Sequence, residues 1–389
     1  MKIVHFTSVH HVYDTRITFK ECSTLQNYGH DVRLIAAHDK NELINGIQVI
    51  GVGKGSSRRL TRMLFTTIRV FRECLRQDAD IYHYHDPELM PIGLLLKILG
   101  KRVIYDVHED VPRDIFSKGW IPDWLKKPVS LSVEAIERFV SKRMDAIIPA
   151  TPFIAERFRT YNPHTYEIQN FPLLDELISH EGSKIKEHNN IAYIGSISEV
   201  RGIKDTIECL EQLNRIMPVN LLLGGNFSPP ELLDQVRQLS GWKFVDYRGR
   251  VDREQFREIM SQSKLGLVVL HPEPNFIMSQ PNKLFEYMSA GIPVLASDFP
   301  LWKQIIEGNQ CGLCIPPMKP HLMANAIRYV LEHPEEAQRM GENGRQAAVT
   351  HYNWEPEGHK LNELYEQLMK PKFDNRNKRN RKQLTADSG

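Results

Sequence analysis

SQPNKLFEYMSAGIPVLASDFPLW, residues Ser279 to Trp302, packs two helix starts and a buried strand into two dozen residues. Pro281 pre-sets φ for a first helical turn. Leu284, Phe285 and Met288 supply an apolar side, and Gly291-Ile292-Pro293 ends the helix. The apolar run Pro293 to Ser297 reads as a strand that delivers the chain to a second helix start at Asp298 and Pro300. Lys283 and Glu286 are three residues apart and share a helix face. A cation and a carboxylate at a helix N-terminus, with free backbone N–H groups nearby, suit a phosphate and the hydroxyls of an attached ribose. The same pair also reads as a surface ion pair on an ordinary helix.

This strand-to-helix alternation runs through the whole chain and marks both halves as α/β, with parallel sheets covered by helices. In the first half the expected strands are Lys2 to Phe6, Val32 to Ala37, Gly46 to Val52, Asp80 to His85, Arg102 to Val107 and Ala146 to Ala150. A helix is expected from Ile17 to Tyr28, stopped by Gly29. A second series follows: Asn190 to Ser196, Val219 to Gly225, Phe244 to Gly249, Leu265 to Leu270, Pro293 to Ser297 and Gly312 to Ile315. Between the series, residues 171–189 are charged and without clear period, as a linker would be. The expected division is a first domain over 1–170, the linker, and a second domain over 190–353. A helix follows over 354–370, then a basic, disordered tail over 371–389.

A chain of 389 residues is long enough for two domains, each with its own core. The net charge of +2 argues against a dedicated nucleic-acid binder. The five cysteines have no framework spacing, and MKIVHFTS opens as a strand without a signal region, so a reduced cytoplasmic setting is expected. Cys311-Gly-Leu-Cys314 has no second pair to complete a zinc site and reads as two strand residues facing the core. The most apolar run, Leu89 to Leu99, is too short to span a membrane.

In open α/β sheets ligands bind beyond the carboxyl ends of the strands, so the turns there carry the chemistry. Gly51 to Ser57 is glycine-rich but lacks the phosphate-loop spacing and reads as a connector. Arg58 to Gln77 reads as a basic amphipathic helix with Leu60, Leu64, Ile68, Phe71 and Leu75 on one side and Arg58, Arg62, Arg69, Arg72 and Arg76 opposite. Such a helix packs its stripe on a sheet or lies on an anionic membrane. Trp120, Trp124, Lys126 and Lys127 join aromatic and basic character in a loop that could touch a lipid-linked acceptor or pack between helices. Ile81 to Leu89 and Val103 to Asp110 each run from a strand into a polar turn. His83 and His85 share a strand face that Asp86 does not, and no metal site is expected there.

The Ser279–Trp302 stretch, with the His85-Asp86-Pro87 and Asp106-Val-His108-Glu109 turns, resembles the retaining glycosyltransferases of family 4, to about Met369. The resemblance implies the GT-B fold, two Rossmann-like domains facing each other across a cleft, the last helix crossing back to the first domain. It implies transfer of a sugar from a nucleotide diphosphate sugar to a hydroxyl of a glycan or lipid-linked acceptor, as in bacterial surface polysaccharide synthesis. No cofactor or catalytic metal is implied. Glu286 would hold the ribose, with Gly195, Gly249, Arg250 and Val251 lining the nucleotide site. Arg201 and Lys283 would stabilise the departing diphosphate, and His108 would face the donor sugar. His85, Asp86 and Glu109 belong to the cleft and acceptor side. An Asp-Thr-Arg run in one subgroup implies that Arg16 adds charge to the cleft; by itself the run reads as Asp14 capping a helix with Arg16 in solvent. Two departures stand out: Met278 where a second glutamate is usual, and Ser196 and Arg201 where the family has arginine and lysine. The alternatives are a nucleotide-sugar epimerase on this fold, or a binding protein without turnover. A peripheral contact with anionic membrane at the inner face of the cytoplasmic membrane is also expected.

Overall fold

The computed structural model describes residues 1–53, 65–119, 121–174 and 188–370. Two sheets carry the fold. The first has the order β3-β4-β2-β1-β5-β6-β7, from β1 (Lys2–Phe6), β2 (Asp31–Ala36), β3 (Glu42–Ile44), β4 (Ile47–Gly51), β5 (Ile81–Tyr84), β6 (Arg102–Val107) and β7 (Ala146–Pro149). The second has the order β10-β9-β8-β11-β12-β13, from β8 (Asn190–Ile194), β9 (Asn220–Gly224), β10 (Val245–Gly249), β11 (Leu265–Val268), β12 (Val294–Ser297) and β13 (Gly312–Ile315). Every pairing is parallel except β3 with β4. The near-continuous burial of β1, β5, β7, β11 and β12 is what helices on both faces of a parallel sheet produce. Two Rossmann-like sheets of this kind make the GT-B arrangement.

The expected strands are all present, most of them a residue or two shorter than expected and β2 beginning one residue earlier, at Asp31. β3 was not expected. Its hairpin to β4 turns at Asn45 and Gly46, with φ of 48° and 82°, the left-handed pair that a two-residue hairpin needs. The helix expected from Ile17 begins earlier, as a π-helix over Thr15–Cys22 that passes into an α-helix over Ser23–Asn27. Asp14 caps it, accepting from the backbone N–H of Arg16 and Ile17.

The basic helix is corrected in its facing. Its first part, 58–64, lies outside the described residues; the rest, Thr67–Gln77, buries Thr67, Val70 and Cys74 while Ile68 and Leu75 are exposed. The inward stripe is thus rotated from the one the larger apolar residues suggested: Val70 and Cys74 are buried, and of the expected stripe only Phe71 among the described residues is half-buried against the same core. Arg69, Arg72 and Arg76 face water. Trp120 and the tail 371–389 also fall outside the described residues. Cys311 is buried and Cys314 half-buried, both free.

Helix Trp354–Met369 lies against the first sheet, where Trp354, Leu361, Leu364 and Tyr365 join the core with Ile3, Ile17 and Leu34. At the other end of the linker region, Phe171 packs into the second domain against Phe285 and Tyr352, with ring centres 4.9 and 5.5 Å apart. No described helix is long and apolar enough to cross a membrane.

The ends of β8 and β9 meet closely. Gly225, at a φ of +141°, donates to the Gly249 carbonyl at 2.6 Å, and a Cβ on it would lie 1.8 Å from the Gly195 carbonyl oxygen. Gly249 has a φ of +66° but open space around it. Gly249→Ala is therefore expected to cost about 1–2 kcal/mol, the left-handed penalty alone. Gly225→Ala meets backbone that cannot yield and should lower the urea unfolding midpoint further. Equal midpoints for the two variants would show that the strand ends are not so tightly apposed.

Candidate active site

The carboxyl ends of the two sheets face a cleft of about 1100 Å³ lined from both domains. From the first come His10, His85, Asp86, His108 and Glu109, and from the second Gly195, Arg201, Met278, Lys283 and Glu286. An adjoining recess of about 380 Å³ is walled by Gly195, Ser196, Gly225, Asn226, Arg250 and Val251. Gly249 lies behind it, its carbonyl held by Gly225. On one side Asn275 of the second domain donates to Asp114 of the first, 3.2 Å across the cleft.

The second-domain wall is cationic and unfinished. Lys283 sits in the first turn of helix Asn282–Ser289, where β11 and β12 and the core below them fix its backbone. Its side chain is buried, with Nζ 3.9 Å from the centre of the Tyr193 ring and no hydrogen-bond partner among the described residues. Burial, and then the charge of Arg201, push its pKa well below the ordinary lysine value, with Glu286 pulling the other way. Arg201 ends the turn after β8, 5.3 Å over the Phe276 ring, with no ion pair to a described carboxylate. Tyr193 shapes this turn by donating from its hydroxyl to the carbonyls of Ser196 and Arg201. Lys283 and Glu286 do not pair with each other. Instead Arg253 holds Oε1 of Glu286 at 3.0 Å.

The first-domain wall is paired internally around Asp106. Asp106, at the end of β6, is fully buried and receives Arg16 through Nη2 at 2.8 Å and Nε at 3.1 Å, His85 at 2.9 Å and His108 at 2.6 Å. Burial alone would raise its pKa, but Arg16 and then His108 hold it well below the carboxylate range. Burial draws His85 down to about 4 despite Asp106. Arg16 is 3 % exposed and also donates to the Ile168 carbonyl, so it neither lies in solvent nor lines the cleft. The reason is the π-helix, whose wider turns send Arg16, Lys20 and Glu21 inward together. Asp86 accepts from the Thr7 hydroxyl at 2.7 Å and the Ser8 N–H at 2.6 Å. His10 stands between Asp86 and Asp14, 3.4 and 3.2 Å away, with its ring 4.7 Å from that of His108. Burial works against it, yet Asp14 and Asp86 raise its pKa.

Sequence reasoning gave no role to His10, Arg253 or the aromatic supports Tyr193 and Phe276, and named Asp106 only as part of a turn. For Asp106 a signal existed, since a lone carboxylate inside an apolar strand must be paired when buried. Chemically, the two walls together offer a polyanion two cations on one side and a set of oriented imidazoles and carboxylates on the other.

The description "Glycosyltransferase Family 4" matches residues 15–170 and "Glycosyl transferases group 1" matches residues 175–347. Glycogen synthase of Mycobacterium tuberculosis (strain CDC 1551 / Oshkosh) is 21% identical over 283 residues, 71% of this chain. The matched part is a little under two thirds, 66%, of that enzyme's length. Among solved structures, Anabaena Alr3699/HepE in complex with UDP and glucose superposes with a TM-score of 0.72 at 15% identity, covering 94% of this chain and all, 100%, of that one. WaaG, a glycosyltransferase involved in lipopolysaccharide biosynthesis, gives 0.72 at 17% identity, over 93% and 99% of the two chains. With both halves matched by its two descriptions and the GT-B fold shared throughout, the chain belongs to the group 1 glycosyl transferases, glycosyltransferase family 4.

Proposed function

We propose that this protein is a retaining glycosyltransferase that moves a sugar from a nucleotide diphosphate sugar to a hydroxyl of a glycan or lipid-linked acceptor. The observation that carries this is the pair Arg201 and Lys283, two cations without a carboxylate partner among the described residues, on one wall of a two-domain cleft. The donor class is supported by the UDP and glucose found with the Anabaena relative. The recess of Ser196, Gly225, Arg250 and Val251 takes the base, and Oε2 of Glu286, with Arg253 on its other oxygen, takes ribose hydroxyls. As the sugar–phosphate bond breaks, charge grows on the diphosphate and is met by Arg201, Lys283 and the N-terminus of helix Asn282–Ser289. These groups do what a metal does elsewhere, so transfer is metal-independent on this reading. The acceptor hydroxyl attacks from the face the diphosphate leaves and passes its proton to the departing phosphate oxygen, with His108 beside the sugar.

The first-domain arm of the cleft is apolar, walled by Ile115, Ile121, Val129, Val133, Phe153 and Ile154, which suits an acceptor bearing a lipid. Trp124, 76% exposed at the start of helix Asp123–Ser141, and the outward Arg69, Arg72 and Arg76 would bring that arm to an anionic bilayer. The reading therefore places the enzyme at the cytoplasmic face of a membrane, in surface polysaccharide synthesis, as WaaG is in lipopolysaccharide synthesis.

Arg201→Ala should lower kcat by about 10²–10³ with a smaller change in KM, because its charge is needed most in the transition state. Arg201→Lys should recover part of the rate, since charge returns without the forked geometry. Turnover of Arg201→Ala within a few-fold of wild type would overturn its role.

Lys283 generates a pH prediction. Its pKa is depressed in the free site and a bound diphosphate raises it, so at pH values between the two pKa values nucleoside diphosphate binding should take up a proton. Affinity should then fall as pH rises, by at most about tenfold per pH unit. Calorimetry in buffers of different ionisation enthalpy should show the uptake in wild type and its loss in Lys283→Met; equal uptake in both would remove Lys283 from the phosphate site.

Glu286→Ala should weaken nucleoside diphosphate and intact donor alike, because both carry the ribose. Unchanged diphosphate affinity with an intact fold would place the ribose elsewhere.

A further inference from the structure

Behind the first-domain wall, and sharing His85 with it, lies a second constellation. His5 of β1 is in register with His83 of β5, and His85 follows on the same face two residues on. Glu21, from the π-helix, closes the group. All four side chains are fully buried, and the three imidazole centres lie 4.5, 4.6 and 5.2 Å apart. One donor atom from each of the four falls within 4.8 Å of those of the other three.

Each ring is held from outside by one nitrogen. Nδ1 of His83 and Nε2 of His5 meet the Tyr365 hydroxyl at 2.7 and 3.2 Å, and Nδ1 of His85 meets Asp106 at 2.9 Å. That leaves Nδ1 of His5, Nε2 of His83 and Nε2 of His85 for the interior. The first and third face each other at 3.0 Å, while Nε2 of His83 has no hydrogen-bond partner among the described residues. Among the described residues neither Glu21 oxygen accepts a hydrogen bond: Arg16 forms an ion pair with Oε1 at 3.0 Å but directs its N–H groups at Asp106 and Ile168, and the Asp106 carboxylate lies close by. A buried imidazole nitrogen without a partner, beside two more imidazoles and a carboxylate that accepts no hydrogen bond, is costly unless something binds them.

We propose that His5, His83, His85 and Glu21 bind one transition-metal ion of the zinc type, in a closed structural site separate from the donor phosphates. Three imidazoles and a carboxylate are a nitrogen and oxygen set that zinc takes tetrahedrally at about 2.0–2.2 Å, which puts donor atoms about 3.3 Å apart. The His5–His85 hydrogen bond opens slightly and the wider pairs close by rotation of the rings. Outer hydrogen bonds to the nitrogen that does not ligate are the usual support of a metal-bound histidine, and all three rings have them. The Tyr365 oxygen has two lone pairs and so can accept from both rings. Ligation needs a deprotonated carboxylate and unprotonated imidazole nitrogens, so affinity rises with pH. The ion would join β1, β5 and the π-helix, and through Tyr365 it would fix the seat of helix Trp354–Met369.

The test uses the full chain, stripped of metal by chelator and then titrated with Co²⁺ as a spectroscopic stand-in for zinc. A saturable tetrahedral visible spectrum at one equivalent per chain is expected, bleached by Zn²⁺, with a rise in Tm on Zn²⁺ addition. His83→Gln should abolish the spectrum. Tyr365→Phe, which keeps the core filled, should weaken binding about 10–100-fold. His333→Ala, on the exposed surface, should change nothing. Absence of a saturable spectrum in the folded wild-type chain overturns the site, whatever the variants do. Spectra of equal strength in wild type, His83→Gln and Tyr365→Phe also overturn it, since the ion would then sit on other histidines. Neither result bears on Arg201 or Lys283, so this proposal and the transfer reading fail separately.

Discussion

The buried pair of Asp106 and Arg16 is the interaction on which the first domain's working face depends. Two charges removed from water cost several kcal/mol each unless geometry and further hydrogen bonds make up the loss. Here the guanidinium reaches both carboxylate oxygens, its third nitrogen goes to Ile168, and His85 and His108 complete the carboxylate's shell. The pairing orders residues far apart in sequence: Arg16 in the first helix, His85 after β5, His108 after β6 and Ile168 after β7. His108 faces the cleft because Asp106 aims it there.

The second domain solves the opposite problem. Its glycosyltransferase face keeps Lys283 buried against an aromatic ring, where its charge is unsupported, and Arg201 over another ring without a carboxylate. One wall is internally neutralised and preorganised, while the other is completed by what binds. This asymmetry suits a donor that brings most of the negative charge and an acceptor that needs placement more than charge.

Much of the fold was legible because parallel strands buried on both faces read as short apolar runs between turn signals, and β1, β6 and β13 came out residue for residue. β3 was overlooked although Asn45-Gly46 carries a strong hairpin signal; with only three residues it offers little alternation to detect. At Thr67–Gln77 the larger apolar side chains suggest one inner face, whereas the sheet accepts the smaller Val70 and Cys74. The cleft residues of both domains were legible through motif wording. Their partners were not: Arg253 reaches Glu286 from 33 positions away, and Asp106 reaches Arg16 from 90. Spacing in sequence holds no record of such contacts. Arg16 was misplaced for a further reason, since helical periodicity at the ordinary pitch does not foresee a π-helix.

The chain passes between the domains twice, and both passages go through one place. The N–H of Trp354 donates to the carbonyl of Pro172 at 3.0 Å, while the Trp354 indole donates to Thr24 at 2.8 Å. Two covalent connections side by side act as a single hinge: the domains can turn about it but cannot slide apart. Opening is then a rotation whose displacement grows with distance from that axis. The Asp114–Asn275 hydrogen bond is a weak latch against it, of the order of 0.5–1.5 kcal/mol. A substrate large enough to need the cleft open has to be admitted by a swing of this kind, and released by the same swing.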